Sequence, residues 1–372
     1  MKLDPRLKVL YIVAVGVVAF ATSDPRVLLT ILGLQILLWV VCRIPIRALA
    51  KSFKRLSVLL VLLVVSYALF GGIEGGTTVQ IPFFSWTLTI HLTAALLGLL
   101  RFSRIVSIVL AAQIVQRTGD PASFVRGLEG LWAPKWLAQG LDSVLELLGG
   151  SPKKKRKKSE GKAFDFKRIL RGDVGFLTEM IDARVAEAER AEDATDSSRD
   201  LALIVALVVV AMSLRFLQLA PGFPIAPGHK GIVLIPLYML AAARTQTRWG
   251  ATQFGILMGV TSFLAGMGKF GPFDILRHMT PGLFVDLTLP LLHAGGRRAS
   301  TWGYGLLGAG AALTRFSTLA AIALLVEAPP GFYAILAPTA LTHVTFGFLS
   351  GTVTRRLLDN QDSGSNTADT TI

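Results

Sequence analysis

The chain has 372 residues and a formal net charge of +14, yet it is 52% hydrophobic and only 17% charged, with a mean hydropathy of +0.57. That balance excludes an ordinary soluble domain, and the positive charge reads as Lys and Arg retained in cytoplasmic loops rather than as a nucleic-acid surface. Apolar runs of about 17–25 residues recur, which predicts an all-α, polytopic membrane protein of about ten spans, four plus six, with amphipathic cytoplasmic coupling helices between the two blocks.

Met1–Lys8 is short and basic, and the first apolar run reads as a permanent span rather than a cleaved signal. Spans follow at about Val9–Thr22 and Val27–Cys42, separated by the tight turn Ser23-Asp24-Pro25-Arg26. Arg43–Arg55 reads as an amphipathic basic hairpin on the cytoplasmic side. The third span is about Leu56–Phe70. The Gly-rich Gly71–Trp86 is an outer loop, and the fourth span begins near Leu88 and ends near Val115. Arg101 and Arg104 interrupt that span. Charges there are costly unless they face protein or water, so they mark a kink or an interior face. Cys42 is the single cysteine, which excludes an internal disulfide and a thiolate-built metal site. No metal is expected.

The long polar stretch follows. Phe124, Leu128, Leu131, Trp132 and then Trp136, Leu137, Leu141, Leu145 predict two interfacial helices separated by Pro134. The basic run Pro152–Lys158 reads as a solvated loop attracted to anionic headgroups. Leu177, Ile181, Val185 and Ala188 fall on one face of a further helix at Phe176–Ala194. Six more spans are predicted at about Leu201–Leu219, Gly231–Ala243, Ala251–Gly266, Pro281–His293, Trp302–Val326 and Phe332–Val353. Arg244 and Arg248, Arg297 and Arg298, and Arg355 and Arg356 mark alternate connections as cytoplasmic. The expected divisions are 1–116 and 200–357 as membrane modules, 117–199 as the coupling segment and 358–372 as a disordered tail. Both termini are expected in the cytoplasm, and the protein in the cell (inner) membrane.

Two outer connections of the second block carry unexpected positive charge. One holds His229 and Lys230. The other holds Lys269, Phe270, Phe273, Asp274, Arg277 and His278. One reading is an outward pocket for an anionic or amphiphilic solute, walled by Phe270 and Phe273. The other is loop polarity with local ion pairs such as Asp274 with Lys269 or Arg277. Asp286, inside a span, is a functional residue or the partner of a neighbouring backbone or of His293. His91 and His343 read as satisfied core histidines. Ala202 and Ala206 form a small-xxx-small face that lets helix backbones approach. The chain has no phosphate loop of its own, because Gly268-Lys269 is followed by Phe270.

Asp4-Pro5-Arg6-Leu7-Lys8, Asp24-Pro25, Arg43-Ile44-Pro45-Ile46-Arg47, the span with Arg101 and Arg104, and Gly119-Asp120-Pro121 occur in an order that resembles the T component of energy-coupling factor (ECF) transporters. The resemblance covers about Met1–Gly150. The second half resembles an S component, the substrate-capturing subunit, in architecture more than in motif. It implies that Ala202 and Ala206 pack against the T component. It also implies that ABC-type ATPase partners dock at Arg184 and Arg190, in Ala183-Arg184-Val185 and Glu189-Arg190-Ala191. Both fall on a single predicted helix, where the family has two. The alternative for these two is solvated helix charges paired with Glu187 or Asp193.

The resulting expectation is a transmembrane subunit of an ECF-type importer. It would capture a small organic micronutrient, be no enzyme itself, bind no cofactor directly, and draw on ATP through partner subunits. Further S components and membrane lipid are expected partners, and nucleic acid is not. The Met-His start of nickel and cobalt S components is absent from the second half. The alternatives are an ATPase-independent carrier or scaffold, and an intramembrane enzyme acting on lipid through Asp286, His278 and Arg277.

Overall fold

A computed structural model of the chain describes residues 4–22, 24–71, 76–84, 86–119, 121–131, 133–149, 196–217, 231–265, 271–293 and 300–368. The first half runs α1 (Pro5–Ala21), α2 (Pro25–Val41), α3 (Ile46–Phe70), β1 (Thr78–Phe83), β2 (Trp86–His91), α4 (Leu92–Thr118), α5 (Pro121–Glu129) and α6 (Lys135–Gly149). Both Asp-Pro motifs are helix starts. Asp4 and Asp24 sit at the N-cap and accept from the backbone N–H of Arg6 and Arg26, each at 2.8 Å, with proline at the first helical position.

Two expectations are corrected here. The basic stretch expected as a hairpin is mostly helix. Arg43, at φ 51°, makes the turn, Pro45 is the N-cap, and α3 runs unbroken for 25 residues. No breaker separates its basic turns from its apolar ones, so both join one helix. Thr78–Phe83, within the expected outer loop, and Trp86–His91, at the expected start of the fourth span, form an antiparallel hairpin, with Thr78 opposite His91 and Phe83 opposite Trp86. Along Trp86–His91, Thr87, Thr89 and His91 alternate with the apolar Trp86, Leu88 and Ile90, a period-two pattern that suits a pleated surface. Helix α4 therefore begins at Leu92.

The second half gives α7 (Asp196–Leu217), α8 (Gly231–Arg244), α9 (Gly250–Leu264), α10 (Phe273–His293), α11 (Thr301–Leu325) and α12 (Pro330–Ala368). Each overlaps one predicted span, but α10 begins at Phe273 rather than near Pro281, and α12 runs past Val353 to Ala368, into the stretch expected as a tail. Among the described residues three stretches are long and apolar enough to cross a membrane: Leu92–Thr118, Thr301–Leu325 and Pro330–Arg355. Pro25–Val41, Leu56–Phe70, Gly231–Arg244 and Gly250–Leu264 are apolar but no longer than 17 residues. Seventeen residues reach about 26 Å, at the short end of the lengths that span a bilayer, and Leu56–Phe70 is the apolar part of the 25-residue α3.

The chain divides into two compact units. The first holds 1–133, 262–277 and 315–342. Its centre is α4, against which α1, α2 and α3 all pack, and α5 lies on α1. Phe102 to Ala112 is buried without a break, as expected of a helix surrounded on all sides. Leu63, Tyr67, Ile105 and Leu110 share one core with Val326 and Phe332. Gln116 donates to the Phe263 carbonyl (2.6 Å), and Lys8 donates to Ser123 (3.1 Å).

The second unit holds 134–261, 278–314 and 343–372. There α7 packs against α6 and α8. The backbones of α11 and α12 meet closely, so a Cβ on Gly308 would lie 2.2 Å from the Gly347 carbonyl oxygen.

Candidate functional site

The strongest charge cluster among the described residues lies in the first unit. Arg101 and Arg104 stand three residues apart on one face of α4. Burial of Arg104 is nearly complete, whereas Arg101 is partly exposed. Both guanidiniums reach Glu327 in the short turn between α11 and α12. Arg101 pairs directly with its Oε2, and Arg104 lies 3.5 Å from its Oε1. Arg104 also donates to the carbonyls of Thr22 (2.8 Å) and Leu325 (3.4 Å), so it ties the end of α1 to the end of α11.

Tyr67 on α3 completes the cluster. Its hydroxyl donates to the backbone carbonyls of Glu327 and, at 3.4 Å, of Val326. Gly98, one turn before Arg101, makes room for this ring, because a Cβ there would meet Tyr67 Cδ2 at 2.7 Å. The Arg101 hydrogen bond, helped by the charges of Arg101 and Arg104, holds the Glu327 carboxyl below the ordinary carboxylate range, against a smaller upward push from burial.

Sequence reasoning singled out the two arginines but neither Glu327 nor Tyr67. A signal existed for Glu327. Two arginines inside an apolar helix demand an acid, and the turn Glu327-Ala328-Pro329-Pro330 offers one.

The predicted solute residues fall in several places. His229, Lys230, Lys269 and Phe270 lie outside the described residues, as do Arg184 and Arg190. Phe273, Asp274, Arg277 and His278 occupy the first turns of α10. Phe273 packs edge-on against Phe20, with centroids 5.8 Å apart. Asp274 is buried and lies 4.0 Å from Arg277, one of the two ion pairs foreseen for it. His278 is fully buried. Tyr238 donates to the His278 carbonyl (2.8 Å), and its hydroxyl lies 3.2 Å from His278 Nδ1. Ala206 is buried and Ala202 partly so, both on α7.

Asp286 is committed to backbone. Its Oδ1 accepts from Ala251 N–H (3.1 Å). Its Oδ2 accepts from Thr252 N–H (2.7 Å) and from the Thr252 hydroxyl (2.6 Å). These are the second and third residues of α9, so the carboxylate caps that helix and faces the positive end of its dipole. Gly282, one turn earlier, lets α10 come close enough, since a Cβ there would lie 2.2 Å from the Ala251 carbonyl oxygen. His293, the alternative partner, instead meets the Tyr304 hydroxyl at 3.1 Å.

Fold and site together define a mostly helical chain with, among the described residues, three helices long and apolar enough to cross a membrane. No protein-family model, curated protein or solved structure matches it.

Proposed function

We propose that the chain is a membrane transport subunit in which a T-component-like block is joined to an S-component-like block of an ECF-type importer. In this reading it has ten spans, lies in the cell (inner) membrane and keeps both termini in the cytoplasm. The outer connections of the second block capture a small organic micronutrient. Partner ATPases hydrolyse ATP, and their motion reaches the membrane through the coupling segment. Such coupling requires ATP states that bind the two conformations unequally.

The observation that carries the reading is the order of helices. Among the described residues four precede residue 119 and six follow residue 195, and α5 and α6 come directly after the fourth. Each of these two short helices has one buried apolar face. Phe124 and Val125 supply it in α5, and Leu137, Ala138, Leu141 and Val144 in α6. The Lys and Arg of alternate connections supply the orientation. His229, Lys230, Lys269, Phe270 and Arg277 remain the residues proposed to meet the solute, whereas Phe273, packed on Phe20, and the buried Asp274 and His278 leave that list. Asp286 is dropped, because its carboxylate is occupied by α9.

The test is co-purification from native membranes in mild detergent, comparing wild type with Arg184→Glu/Arg190→Glu. ATP-binding subunits that accompany wild type and leave the variant support both the importer and its docking residues. If they stay with the variant, the importer holds and docking lies elsewhere. If none accompanies wild type, the reading yields to an ATPase-independent carrier or scaffold.

A further inference from the structure

Arginine stays protonated in proteins, so two guanidiniums along an apolar helix need counter-charge. Among the described residues the carboxylate that reaches Arg101 and Arg104 is that of Glu327. The cluster therefore sets two positive charges against one negative. Its donors are also underused. The Nε of Arg101 and the Nε of Arg104 are both buried with no hydrogen-bond partner, although each is a strong donor.

The occupant is placed oddly for a purely structural partner. The Glu327 side chain is 54% exposed, whereas that of Arg104 is 4% exposed. Glu327 also sits where a helix normally ends in glycine. Its N–H donates to the Leu324 carbonyl (2.8 Å), and Ala328 N–H donates to the Ala323 carbonyl (2.9 Å). Its φ is 54°. That is the left-handed exit of a helix, where a β-carbon is disfavoured. A glutamate held there against backbone preference points to a use for its carboxylate.

We propose that Arg101 and Arg104 form an oxyanion-binding site, and that Glu327 is its tethered occupant, displaced by a free carboxylate or phosphate or by the phosphate of an acidic lipid. Arg104 is held by the Thr22 and Leu325 carbonyls whichever occupant is present. Tyr67 grips the backbone of the turn rather than the Glu327 carboxylate. The carboxylate can therefore leave while the turn stays. The incoming oxyanion takes the charge-assisted bonds that Glu327 gives up and the Nε donors it leaves idle. The site lies within the first unit and does not rest on the transporter reading.

The probe is sulfate, which stays dianionic through the working pH range. It is added to the full chain purified in a detergent free of phospholipid. Binding is read by calorimetry and by the thermal midpoint. Glu327→Gln removes the tethered competitor and keeps its shape, so sulfate is expected to bind at least about tenfold tighter than to wild type. Sulfate is also expected to raise the variant's midpoint more than that of wild type. Both effects vanish in Arg101→Gln/Arg104→Gln/Glu327→Gln. Glu327→Gly, whose backbone suits the left-handed position, repeats the measurement where the Gln variant does not fold.

Phosphatidylcholine nanodiscs with and without phosphatidylglycerol, free of sulfate, separate the two sources. Stabilisation of the Gln variant by phosphatidylglycerol but not by sulfate assigns the site to a headgroup. Stabilisation by sulfate assigns it to a dissolved anion. The proposal is overturned if neither agent acts on either variant, or if both act equally on the triple variant. It is overturned too if neither variant can be recovered even in sulfate, because the carboxylate would then be irreplaceable.

Discussion

Replacing Asp286 tests whether a charge inside an apolar helix serves chemistry or architecture. Asp286→Ala removes the acceptor for two backbone N–H groups at the start of α9, those of Ala251 and Thr252. Ala251 is fully buried, so its N–H has no water to turn to. A buried donor left unpaired costs about 1–3 kcal/mol, and loss of an N-terminal cap costs about 0.5–2 kcal/mol. The two figures overlap, since both count the same N–H groups. The expected destabilisation is therefore about 1–3 kcal/mol, the cost of the one donor, Ala251 N–H, that has no access to water. Asp286→Asn keeps one acceptor oxygen and should cost about 1–2 kcal/mol, as one donor loses its partner. The assay is equilibrium unfolding in detergent, followed by far-ultraviolet circular dichroism, for wild type and both variants. Unchanged stability in Asp286→Ala, together with lost solute retention or lost turnover of a lipid, would refute the capping argument and return Asp286 to the functional list.

Three further outcomes are expected. Asp200 accepts from Gln246 N–H (2.9 Å) and Thr247 N–H (2.8 Å) while itself buried, so Asp200→Ala should cost about 1–3 kcal/mol and speed amide exchange in the connection between α8 and α9. Gly308→Ala places a Cβ 2.2 Å from the Gly347 carbonyl oxygen. Overpacking of that kind costs about 1–3 kcal/mol, and a thermal midpoint equal to that of wild type would show that α11 and α12 are further apart than described. Folding lowers the Glu327 pKa, first through the Arg101 hydrogen bond. The stability it contributes is therefore present above the unfolded value of about 4.3 and disappears as pH falls through the lower folded value. Its side chain is more than half exposed, so screening limits the contribution to under about 1 kcal/mol. Stability measured from pH 7 to 3 should fall less steeply at the acid end in Glu327→Gln than in wild type.

Helix positions were legible wherever local chemistry is decisive. The Asp-Pro pairs at residues 4–5 and 24–25 carry the signal of two N-termini, because cap and first-turn proline act within one turn, although hydropathy alone starts those spans later, near Val9 and Val27. Pro134 marks the break between α5 and α6 for the same reason. Harder to read was a boundary between elements that are both apolar. Leu88 to His91 carries as much hydrophobicity as the helix it precedes. Only its alternation betrays a strand, and span-finding by hydropathy ignores alternation. The partners of the buried charges lay further out of reach. Arg101 and Glu327 are 226 positions apart, and Asp286 meets residues about 35 positions earlier. Their polarity was visible in the sequence, but their company was not, because side-chain pairing across helices is decided by packing.

The two kinds of buried charge divide the functional question. Each oxygen of Asp286 accepts from the start of α9, and two of those three bonds come from backbone that cannot rearrange without unwinding the helix. A carboxylate so occupied has little left to offer a solute. The arginines of α4 are the reverse case. They keep a surplus of charge and two idle donors, and their partner is a single exposed side chain on a short turn. A helix cap is exchanged only by local unfolding, whereas an exposed carboxylate on a turn is exchanged by rotating a few side-chain bonds. The barrier to ligand competition is thus far lower at α4 than at α10, although hydropathy alone ranks an arginine and an aspartate inside a span as equally suspicious. Of the two, the arginine pair is where an anion can gain entry without first breaking a helix.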